Sequence, residues 1–112
     1  MPDLIAQGGE PQQRWRRRLP VGQPVLLGRA GGVWGVPWDA HVSRQHVRLT
    51  WDGQRLAVDR LPHARNPVFR QGKEQDRFCL EPGEHFVIGQ TTFTLVDQQV
   101  SVTTDLPKPV QQ

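Results

Sequence analysis

The segment AHVSRQHVRL, residues 40–49, sets a serine between two histidines, with an arginine beside it and apolar residues around them. Three chemistries use such a group. As a hydrolase, Ser43 would be the nucleophile and His46 its base. That needs the ring within reach of the hydroxyl, an orienting acid and an oxyanion hole. No G-x-S-x-G elbow surrounds the serine, and nothing in the sequence places Asp39 behind His46. As a metal site, His41 and His46 have a spacing that suits one face of neither a helix nor a strand. There is no H-E-x-x-H and no cysteine pair, and His63 and His85 are isolated. The third chemistry is reception of an anion. Twelve of the 14 basic residues are arginine, whose planar fork suits bidentate contact with phosphate or carboxylate.

Any of these sites must be held by short elements. The chain has 112 residues, 36% of them hydrophobic, with 11 glycines and 10 prolines, which implies one domain with many turns. HVRLTWDGQRLAVDRL alternates as a strand, turns at Asp52-Gly53 and alternates again, a strong hairpin signal. Val47, Leu49 and Trp51 share one face of the first arm, and Arg48 and Thr50 the other. Further strand candidates are Val25–Leu27, PVFRQ, RFCLEP, EHFVIG, TTFTLV and QVSVTT. No long window shows a helical apolar period. The pattern predicts an all-β antiparallel sandwich or barrel, with functional loops gathered at one end. Residues 1–13 read as a flexible N-terminal segment, 14–104 as the sandwich and 105–112 as a linker or tail.

Composition narrows the functional classes. No apolar run approaches a membrane span and the apolar stretch near the start is broken by Gly22, Gln23 and Pro24, so a soluble cytoplasmic protein is expected. The lone Cys79 excludes an internal disulfide and a cysteine metal cage, and reads as a half-buried strand residue. No metal and no cofactor is expected. RWRRRL, residues 14–19, raises the nucleic-acid question, but three adjacent arginines on a strand fit a solvated edge equally well.

Gly28-Arg29, then Val42-Ser43-Arg44-Gln45-His46, then Asn66 in ARNPVFRQG resemble in order and spacing the forkhead-associated domain, a phosphothreonine-peptide binding module. The resemblance covers roughly residues 15–104 and includes the turn in EPGEHFVIG. It implies a β-sandwich of about eleven strands and no catalysis. By that resemblance Arg29, Ser43 and Arg44 would hold the phosphate, Ser43 through its hydroxyl and backbone N–H. Asn66 would bond the main chain of the bound peptide. Gly28 and His46 would be structural, the histidine bracing the Ser43 loop. The implied partner is a phosphothreonine-containing protein, or a segment of the same chain, acted on by a Ser/Thr kinase.

The sequence departs from the family pattern downstream. Pro67 follows Asn66 where glycine is expected and pushes it towards extended backbone. Gln71 replaces the second asparagine, and Arg65 stands where a small residue is common. Arg65, Gln71 and Trp34, the last in GGVWGVPW, are additional candidate contacts. Two other readings stay open: a degenerate sandwich that docks or dimerises without phosphate, and nucleic-acid binding through RWRRRL.

Overall fold

Most of the apolar runs alternate, and in the computed structural model, which describes residues 2–30 and 32–97, they become strands of two antiparallel sheets. One sheet has the order β2-β1-β10-β9-β6-β7, made of β2 (Arg14–Arg18), β1 (Asp3–Gln7), β10 (Thr91–Val96), β9 (His85–Ile88), β6 (Val68–Arg70) and β7 (Lys73–Glu74). The other has the order β3-β4-β5-β8, made of β3 (Val25–Leu27), β4 (Val47–Trp51), β5 (Leu56–Arg60) and β8 (Arg77–Leu80). Ten strands thus stand among the described residues, where about eleven were expected. The candidate QVSVTT and the tail 105–112 lie outside the described residues.

The core lies between the sheets. Val47, Leu49 and Trp51 of β4 point into it with Leu56 and Val58 of β5, while Arg48 faces solvent. The register Trp51↔Leu56 closes the predicted hairpin. Its turn is held by the Asp52 carboxylate, which accepts the N–H groups of Gln54 and Arg55, both at 2.8 Å. Phe86 and Phe93 stack at 4.9 Å between centroids, and Phe78 meets Phe86 edge-on.

Two expectations are corrected here. The segment expected to be flexible, residues 1–13, is not a loose end where it is described: β1 lies between β2 and β10, with Leu4 and Ala6 in the core. Leu4 is fully buried, and withdrawing such a side chain costs about 1.5–3 kcal/mol, which favours docking of a segment whose polar surroundings hide its alternation. Cys79 faces outward on β8 and is exposed.

The connections that matter leave one end of the sandwich. β3 runs into a long loop that returns as β4, and β5 runs into residues 61–67 before β6. Leu27 and Arg60 both pair with Val47, so the two loops start side by side.

Candidate anion-binding site

Gly28 brings the ends of the long loop together. A Cβ on it would stand 2.1 Å from the carbonyl oxygen of Arg44, so only glycine fits. Main-chain bonds then run across the gap: Arg29 N–H to the Ser43 carbonyl at 2.9 Å, and His46 N–H to the Leu27 carbonyl at 2.9 Å. Arg29 therefore emerges beside Ser43 and Arg44.

His46 ties this loop to the next one. Its ring is fully buried. Nδ1 accepts the Ser43 N–H at 2.9 Å, and Nε2 donates to the Asn66 carbonyl at 2.8 Å. These partners define a neutral imidazole with its proton on Nε2. Burial is the main cause that pushes its pKa below the ordinary histidine value; the Asn66 hydrogen bond opposes the shift, and the Arg60 charge adds to it. Because the ring takes the Ser43 N–H, that group does not face an anion, contrary to expectation. The hydroxyl remains: Ser43 Oγ accepts the Arg65 N–H at 3.0 Å, and its own hydrogen has no acceptor among the described residues.

The 61–66 loop is shaped in part by Arg60, a residue the sequence did not single out. Arg60 donates to the carbonyls of Ala64 at 2.6 Å and Asn66 at 3.2 Å. The Asn66 side chain donates to the His41 carbonyl at 2.7 Å. One N–H of its amide is thus engaged within the protein, and the side chain still lines the cavity.

Asp39 anchors the other side. It is buried and accepts from the Thr91 hydroxyl at 2.7 Å and the N–H groups of Gln90 and His41 at 2.9 and 3.0 Å. The His41 ring meets it at 3.2 Å. Burial alone would raise its carboxyl, but these donors outweigh burial and hold the pKa below the usual value. Trp38 in turn donates to Thr91 Oγ1 at 3.0 Å. The loop carrying Ser43 is therefore fastened to the β9–β10 turn.

The result is a cavity of about 410 Å³ lined by Arg29, Ala40, His41, Val42, Ser43, Arg44, His63, Arg65 and Asn66. Three guanidinium groups, two imidazoles and a hydroxyl line it, and no carboxylate among the described residues does. Such a set attracts an oxyanion and offers it charge-assisted hydrogen bonds.

Two candidates fall elsewhere. Gln71 occupies the β6–β7 turn with Gly72, at φ of 55° and 76°. This left-handed pair suits a tight hairpin and keeps Gln71 out of the cavity. Trp34 packs edge-on against Trp15, 5.7 Å between centroids, because Trp15 holds the Gly35 carbonyl at 2.8 Å. His41 and His63 join the site although the sequence read them as unassigned and isolated. Proximity to Ser43 and Asn66 was the only signal for them. No cluster of potential metal ligands occurs among the described residues, and no helix there is long and apolar enough to cross a membrane.

The chain matches no protein-family model and no curated protein sequence. Its fold matches solved structures closely. It is similar to the FHA domain of the CT664 protein from Chlamydia trachomatis at TM-score 0.67 and 20% identity, covering 85% of this chain and 97% of that one. It is similar to the FhaA FHA domain, solved in complex with the intracellular domain of Rv3910, at TM-score 0.70 and 20% identity, covering 85% and 99%. The MEK1 FHA domain, solved with a phosphothreonine peptide of HOP1, matches at TM-score 0.60 and 14% identity, covering 85% and 96%. With two antiparallel sheets in a sandwich and these neighbours over nearly their full length, the chain has the fold of forkhead-associated domains.

Proposed function

We propose that the chain is a non-catalytic module that binds phosphothreonine peptides, within a longer signalling protein and after a kinase has acted. One observation carries the reading: Arg29, Ser43, Arg44 and Arg65, from two separate loops, line one cavity that has no carboxylate among the described residues. The phosphopeptide complex of a neighbour with the same fold supports it. In this reading Arg29 and Arg44 contact the phosphate oxygens, the Ser43 hydroxyl donates to one of them, and Arg65 adds a cation where the family commonly has a small residue. The Asn66 side chain shapes the cavity through His41, so the main chain of the peptide is gripped less by Asn66 than in the family pattern.

The test is titration of a phosphothreonine peptide library and its unphosphorylated counterpart against wild type and Arg29→Ala. Selective binding that falls at least about tenfold in the variant is expected, since a hydrogen bond to a charged group contributes about 1.5–3 kcal/mol. Equal binding of both peptide forms would overturn it. The bond from the Asn66 amide to the His41 carbonyl favours one second reading, a docking module indifferent to phosphate, in which Ser43→Ala and Arg29→Ala leave partner binding intact. The arginines of β2 do not line the cavity, so nucleic-acid binding gains no support from it.

A further inference from the structure

β2 is an edge strand, and its main chain faces outward at its arginines. The Gly8 N–H bonds the Gln13 carbonyl at 2.7 Å, and the Leu19 N–H bonds the Pro2 carbonyl at 3.1 Å. Both pairs obey the β1–β2 register. In an antiparallel ladder the bonded pairs alternate, so Gln13, Trp15, Arg17 and Leu19 turn their main-chain groups towards β1. Arg14, Arg16 and Arg18 turn theirs to the open edge. Their N–H groups have no acceptor among the described residues, and the Arg16 carbonyl meets only the Arg17 side chain, at 3.4 Å.

Side chains divide the same way. Arg14, Arg16 and Arg18 share the outer face of the sheet, where Asp3 is the one carboxylate paired with them among the described residues, engaged by Arg16 and, at 3.8 Å, by Arg18. On the inner face Trp15 and Arg17 hold the carbonyls of Gly35 and Val33. This pins the 3-10 turn Gly32–Trp34 beside the edge. A mainly apolar pocket results, lined by Arg17, Arg18, Leu19, Pro20, Val33 and Trp34. Val33 is 64% exposed there.

We propose that the β2 edge accepts an extended acidic segment of a partner protein as an added strand. Its main chain would pair with Arg14, Arg16 and Arg18. Its acidic residues would lie beside those three side chains, and an apolar residue between them would enter the pocket by Val33 and Trp34. Charge selects this occupant over a second copy of the chain, because antiparallel pairing of two β2 edges sets arginine against arginine. Strand addition of this kind draws affinity from main-chain bonds and specificity from alternate side chains. The surface is separate from the cavity around Ser43, so the inference does not rest on phosphopeptide binding.

The probe is an end-blocked peptide, EVEVEVE, with KVKVKVK as its control, and the readout is amide exchange of the 15N-labelled protein. EVEVEVE should slow exchange at Arg14, Arg16 and Arg18 at least about tenfold, equally in wild type and Arg29→Ala, and KVKVKVK should not. Arg14→Glu with Arg18→Glu should reverse the preference. Arg16→Pro removes one outward N–H while sparing the ladder to β1, and should weaken EVEVEVE binding. The proposal is overturned if no amide of β2 is slowed at millimolar peptide, if both peptides act alike, or if the response is confined to residues 29–66. It is also overturned if the β2 amides are protected by protein concentration alone, which would make the occupant a second copy.

Discussion

Replacing His46 by alanine should damage stability and the site together, for a reason visible in the geometry. The ring is fully buried and both nitrogens are bonded, one to the Ser43 N–H and one to the Asn66 carbonyl. Its removal leaves a cavity, for which large-to-small changes cost about 2–4 kcal/mol. It also strands the Ser43 N–H, and a buried unpaired donor costs about 1–3 kcal/mol. The Asn66 carbonyl keeps a second donor in Arg60, so that side of the loss is softened. The sum is on the order of 3–7 kcal/mol, a large part of the roughly 5–15 kcal/mol that a domain has. Urea unfolding followed by the fluorescence of the four tryptophans measures it. The pH dependence supplies a second, sharper signature. Burial holds the folded pKa of His46 below its unfolded value, near 6.5. The unfolded chain therefore takes the proton first, and stability falls as pH drops from about 6.5 towards the folded pKa, then flattens below it. That component should be missing from His46→Ala. A loss under about 1 kcal/mol, or an unchanged pH profile between wild type and variant, would refute the bracing role.

Gly28→Ala should cost about 1–3 kcal/mol or more by overpacking, because its Cβ meets main-chain rather than side-chain atoms of Arg44 and Gln45; a variant as stable as wild type in the same urea assay would contradict the close approach. Thr91→Val should lower stability by about 1–3 kcal/mol at neutral pH, since it leaves Trp38 Nε1 without its acceptor and Asp39 without one donor. The wild-type contribution of Asp39 is present above about 3.8 and is lost as pH falls through its lower folded pKa, so acid unfolding should begin at higher pH in Thr91→Val. Phosphopeptide affinity should fall with added salt and as pH drops below about 6, where phosphate loses its second charge; calorimetric titration showing neither trend would count against recognition of the dianion.

The hairpin at Asp52-Gly53 and the alternation of Val47, Leu49 and Trp51 were legible in the chain because each is written in local pattern, while the association of Gly28-Arg29 with Ser43 and His46 came from the resemblance to forkhead-associated domains. Side-chain alternation alone selects the buried face of β4. The rest depends on contacts between distant segments. DLIAQ looks like a polar tail until β10 and β2 bond to it on both sides. Gln71 shares a tripeptide's distance from Val68, yet the left-handed turn carries it away from the cavity. His63 and Arg65 line one cavity with Arg29 because bonds such as that from the His46 ring to the Asn66 carbonyl join the two loops. Residue types and their order in the sequence thus determined that an anion receptor could be built on an all-β frame. Which donors face the cavity, and which, like the Ser43 N–H, are used up inside the protein, was decided by the tertiary structure, because a buried donor must find its partner wherever the fold supplies one.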